Sequence, residues 1–91
     1  MARVDTAQLA VELERLPRDV AAAVEIFLRL HGLSVDALAD RLGVRPDRLS
    51  QMLSGDADLT LRVLASLATA LEAHFEIRLV PNPRPAADHD G

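Results

Sequence analysis

Short apolar stripes at helical spacing organise most of the chain, and one segment near its end breaks that rhythm. Leu9, Leu13 and Leu16 recur at steps of four and three, with Asp5 or Thr6 placed to cap the segment. Pro17 interrupts this run and predicts a boundary: proline lacks the N–H of a helix interior but suits the first position of a new helix. From 17 to 31, Val20, Val24, Phe27, Leu28 and His31 share one stripe, and Gly32 predicts the stop. Asp19 in the first turn suits the helix dipole, and Glu25 and Arg29 form an i,i+4 pair on the outer face. Ser34 predicts the cap of a helix over 35–42, with Leu38, Ala39 and Leu42 facing inward. Gly43 supplies the positive φ of a tight turn. Pro46 opens a short helix to 53 with Leu49, Met52 and Leu53 on its apolar face. After the loop SGDAD, Thr60 caps a helix to Leu71, with Leu61, Leu64, Leu67, Ala68 and Leu71 as its inner stripe.

Residues 74–80, HFEIRLV, set Phe75, Ile77 and Leu79 against Glu76, Arg78 and Val80. A period of two predicts a strand. One strand cannot satisfy its own backbone, and the chain offers no second. The expected partner is therefore the same segment of a second copy, or the edge of another protein. The Pro-rich stretch that follows reads as a disordered tail. The expected fold is all-α: a five-helix bundle around a central helix-turn-helix, with a short C-terminal β-strand paired with a second subunit. Its parts are an N-terminal helix (1–16), the helix-turn-helix domain (17–72), a strand for dimerisation (73–80) built on Phe75, Ile77 and Leu79, and the tail (81–91).

Composition narrows the function. The 91 residues make one small domain with a modest core, of the size that leans on a partner subunit. A hydrophobic share of 49% excludes a disordered chain. With Phe27 and Phe75 as the only aromatics, no stacking platform for single-stranded nucleic acid exists. The lack of cysteine excludes disulfide and thiolate chemistry, and His31, His74 and His89 are too scattered for a metal pattern. No glycine-rich phosphate loop and no motif-placed catalytic group is present, so no enzyme activity, cofactor or metal is expected. The N-terminal MARVDTAQL lacks the apolar core of a secretory signal, and no apolar run approaches the roughly 20 residues of a membrane span. A cytoplasmic protein without a membrane partner is expected.

Charge sharpens the question. The net charge is −4, which argues against a protein that grips phosphate backbones at large. Local charge decides specific binding. All ten basic residues are arginine, whose planar fork suits phosphate and guanine.

Two short helices joined by a glycine turn and wrapped by further helices are the layout of a helix-turn-helix. The stretch LSVDALADRLGVRPDRLSQMLSG resembles the phage-repressor (Xre, Cro/C1-type) family in Leu38-Ala39, Leu42-Gly43-Val44, Leu49-Ser50 and the closing Ser54-Gly55. LTLRVLASLATAL resembles the helix that follows in that family, and the likeness covers about residues 18–72. The segment HFEIRLVP is similar to small family members that serve as antitoxins beside a toxin protein.

The resemblance implies that the second helix lies in the major groove of an operator, with Arg45, Pro46, Asp47, Arg48, Ser50 and Gln51 outward. It implies adenine reading by Gln51, guanine reading by an arginine and backbone contacts from Arg41 and Arg62. The chain departs from the family pattern in Val35, where glutamine is common, and in the acidic loop carrying Asp56 and Asp58. Five aspartates (Asp36, Asp40, Asp47, Asp56, Asp58) face four arginines (Arg41, Arg45, Arg48, Arg62) within 33–62. Two functions follow. One is a repressor-like regulator of transcription, binding a palindromic operator in double-stranded DNA as a homodimer, with a toxin as partner if it is an antitoxin. The other is a protein-interaction module whose helix-turn-helix docks on a basic protein surface without DNA.

Overall fold

The computed structural model describes residues 3–54 and 59–83. Among them stand four helices: α1 (Thr6–Leu30), α2 (Val35–Leu42), α3 (Pro46–Met52) and α4 (Leu61–Ala70). The expected five-helix bundle with a paired strand is therefore corrected on two counts.

First, Pro17 does not end a helix. It sits inside α1, a single helix of 25 residues. Proline removes one rung of the ladder, the bond to the Leu13 carbonyl, and an interior site costs about 3 kcal/mol relative to alanine. Pro17 is half-buried but Leu13 and the residues around it are exposed, which leaves the freed carbonyl open to solvent. Good helix formers on both sides, ELERL before and DVAAAVE after, carry the helix through. Second, residues 74–80 form no strand. They run without secondary structure, because no neighbouring segment among the described residues supplies a ladder. Alternation placed only Phe75 inward, half-buried against the core, while Ile77 is 81% and Leu79 100% exposed. The expected disordered tail is described only as far as residue 83; its remainder, and Gly55, Asp56 and Asp58 of the acidic loop, lie outside the described residues.

Helix starts follow local chemistry. The Asp5 carboxylate accepts the Ala7 amide at 2.9 Å, the Ser34 hydroxyl accepts the Ala37 amide at 3.0 Å, and the Thr60 hydroxyl accepts the Val63 amide at 3.1 Å. Each satisfies one orphan donor of a helix N-terminus. Three of the four helix ends share one device. The Leu33 amide donates to the Leu28 carbonyl and Gly32 to Arg29, Val44 to Ala39 and Gly43 to Asp40, Ala73 to Ala68 and Glu72 to Thr69. These are three Schellman turns, each pivoting on a left-handed residue.

Gly32 and Gly43 take that conformation at φ 65° and 72°. The third pivot is Glu72, at φ 54°, where a side chain crowds the backbone. Glu72→Gly is accordingly expected to raise stability by about 1 kcal/mol, read as a higher urea midpoint at unchanged slope. A lower midpoint would show that the Glu72 side chain contributes more than its backbone strain costs.

The core joins all four helices. Leu49 and Leu67 are fully buried, Leu38 and Ala39 are 1% exposed and Val24 is 2% exposed, with Ala21, Leu28, Leu53 and Leu71 around them. Ala39 is the small residue that lets α2 approach its neighbours. Leu61, expected on the inner stripe of α4, is instead exposed; as the first residue of its helix it precedes the turns that pack.

Candidate nucleic-acid interface

α3 is short and pinned. Leu49 anchors it in the core, Leu53 is buried just past its end, and Met52 packs half-buried beside them. Every other residue from Arg45 to Gln51 is exposed: Arg45, Pro46, Asp47, Arg48, Ser50 and Gln51. At 100° per residue, Asp47 and Gln51 lie one turn apart on the side opposite Leu49, with Ser50 and Arg48 flanking them. The centre of the outward face is therefore an acid and an amide, and the arginines stand at its edges.

Asp47 is engaged within its own helix start. One carboxylate oxygen accepts the Arg48 amide at 3.0 Å, and the other lies 3.5 Å from the Arg45 guanidinium. Arg45 offers no side-chain cap, so Asp47 serves that helix terminus from inside the first turn. The Arg45 pair is exposed on both sides and contributes little to stability. It does turn one of the five aspartates from a free repulsive charge into a partnered one. No side-chain bond holds Arg48 or Gln51 to another described residue, so both heads are available to a ligand.

Arg41 and Arg62 do not join the α3 face. They line a groove of about 670 Å³ between α2 and α4, with Leu61, Ser66 and Thr69. Arg41 donates to the Ala70 carbonyl at 3.0 Å, so it binds the last turn of α4 and braces α2 against it. The Ser66 and Thr69 hydroxyls donate to the Arg62 and Ala65 carbonyls one turn back. The sequence reasoning missed Ser66 and Thr69; their spacing from Arg62, four and seven residues, is the signal that puts all three on one helix face. Phe75 belongs to the cleft beside Phe27 and Leu71, whereas Ile77 and Leu79 stand in solvent.

Among the described residues no helix is long and apolar enough to cross a membrane. A family model described as helix-turn-helix matches residues 24–77, more than half of the chain. Neither a curated protein nor a solved structure matches it. The matched span opens in the core-facing half of α1 and holds α2, the Gly43 turn, α3 and α4, which are the elements that present the exposed face of Asp47, Arg48, Ser50 and Gln51. The chain belongs to the Xre/Cro-C1-type helix-turn-helix family, a family of DNA-binding regulators.

Proposed function

We propose that this protein is a sequence-specific, repressor-like regulator of transcription that reads a palindromic operator in double-stranded DNA as a homodimer. The observation that carries the proposal is the α3 face: a fully buried Leu49 holds it rigidly, and no other described residue engages the Arg48 or Gln51 side chain on it. In this reading Gln51 pairs with adenine, Arg48 with guanine, and Ser50 with a base or phosphate. Arg45 and Asp47 keep the helix start in place, and Asp47 accepts from a cytosine amino group when it leaves Arg45. Arg62, and Arg41 when it releases the Ala70 carbonyl, contact the backbone. An antitoxin role, with a toxin bound away from α3, is the narrower form of the same proposal and rests on the likeness of residues 74–81 to such proteins. Its setting is the cytoplasm.

The acidic module shapes the expected binding. With Arg41 and Arg62 as the phosphate contacts of each protomer, log Kd against log salt is expected to have a slope no steeper than about 4. Discrimination between operator and competitor DNA must then come from α3. Titrating the DNA upstream of the protein's own gene at several salt concentrations checks this. Equal affinity for operator and competitor at low salt would sink the proposal and leave the protein-docking module in its place.

A further inference from the structure

α1 is longer than the domain it serves. At 1.5 Å per residue its 25 residues span about 37 Å. Contact with the core begins around Val20, and everything from Thr6 to Leu16 is exposed. Those three turns are nevertheless apolar on one side. Leu9, Leu13, Leu16, Val20, Ala23 and Phe27 follow one another at alternating steps of four and three. This is the seven-residue seam of a coiled coil. Its second half is covered at Val20 and Phe27, which pack on the core, while the small Ala23 between them is exposed. Its first half is bare, with Leu9, Leu13 and Leu16 exposed at 46%, 62% and 50%. The family match begins only at Val24, so the bare half also lies outside the elements common to the family.

The C-terminal segment extends this surface. Ile77, Leu79 and Val80 form the far wall of a groove of about 570 Å³ whose near wall includes Leu9 and Leu16. At on the order of 100 Å² per fully exposed aliphatic side chain, the patch offers roughly 400 Å² of apolar surface. A standard interface takes about 800 Å² from each partner, around 65% of it apolar in homodimers. With Ile77, Leu79 and Val80 counted, the patch approaches the apolar share of a small dimer; Leu9, Leu13 and Leu16 alone supply roughly 160 Å² of it.

We propose that the bare half of the α1 seam, with Ile77, Leu79 and Val80 beside it, is a self-association surface, occupied by the same surface of a second copy with the two α1 helices antiparallel. Two observations favour an identical helix over another partner. A seven-residue seam calls for a helix, and no other described helix of this chain covers it. The stripe is close to symmetric about Leu13, with Leu9 four residues before it and Leu16 three after, so a two-fold axis there sets Leu9 of one copy near Leu16 of the other, as an isologous contact requires. The arrangement puts the two helix-turn-helix modules at opposite ends of the paired helices. It deepens the dimer proposed above and rests on that proposal for its use on DNA, but the test needs no DNA.

Molar mass by light scattering at high micromolar concentration is expected to be that of a dimer. Leu13→Asp sets a charge into the seam and is expected to raise the dimer dissociation constant by more than about tenfold. Leu13 makes no core contact, so circular dichroism should stay helical. A second variant does not depend on disruption. The chain contains no cysteine, so Leu13→Cys carries a single thiol. Under oxidation two copies are expected to cross-link, whereas Val11→Cys, on the opposite side of the helix, is not. A monomeric wild type, an unaltered dimer in Leu13→Asp, or equal cross-linking at Leu13 and Val11 would each overturn the proposal. DNA binding that fails while the dimer persists would instead count against the operator reading alone.

Discussion

Leu49→Ala is expected to lower the free energy of unfolding by about 2–5 kcal/mol, among the largest stability losses of any single truncation among the described residues. Leu49 is completely buried, and so is Leu67. Removing most of a leucine side chain there forfeits its transfer energy and leaves a cavity whose walls are close-packed on every side. A domain of this size has a total stability of only about 5–15 kcal/mol, so the loss consumes a large part of it. Urea denaturation followed by circular dichroism reads the effect as a lower midpoint at unchanged slope. Leu61→Ala is the matched control: Leu61 is 80% exposed, and its truncation should stay within about 0.5 kcal/mol. Equal losses at the two positions would show that α3 is not anchored as described. DNA binding should weaken along with stability in Leu49→Ala, because Leu49 is what holds the α3 face toward a ligand.

The second large effect is on binding. Arg48→Ala and Gln51→Ala should each weaken operator affinity by about 1–3 kcal/mol and relax preference at one base pair per half-site. Both side chains are exposed and bonded to no other described residue, so neither change should shift the unfolding midpoint. Arg62→Ala gives the contrast. A lost phosphate contact weakens binding to operator and competitor alike and makes the salt dependence shallower, by about one per protomer. A mobility-shift titration against wild-type and single-base operator variants separates these patterns. Unchanged affinity in both Arg48→Ala and Gln51→Ala would mean that α3 does not face DNA.

How far the site could be read from sequence depended on the range of the interactions involved. The cap residues Ser34 and Thr60 bond amides three residues away, and Gly43 adopts a conformation open to glycine by its own sterics. Leu38, Ala39 and Leu49 follow from helical spacing. With these, the helix-turn-helix and its outward residues were legible. The pairing of Asp47 with the Arg48 amide is equally local, yet composition alone counted Asp47 as a free charge. Arg41 was legible as a cation but not as a brace, because its partner, the Ala70 carbonyl, is 29 residues away.

What the sequence by itself determined is the set of local signals: where α2, α3 and α4 start, where the chain turns, and which face of each short helix is apolar. What only the tertiary structure decided concerns continuity and pairing. Pro17 removes one hydrogen bond wherever it stands, and whether that breaks a helix depends on the stability of the turns on either side. Alternation at 74–80 marks which side chains share a face, but a strand exists only where a second backbone supplies the ladder. Here one side chain of the three, Phe75, finds the core, and the backbone stays unpaired. The stripe of Leu9, Leu13 and Leu16 looks in sequence like any core-facing helix. Only the fold shows that the core ends before it, because burial is a property of what lies opposite a residue and not of the residue itself.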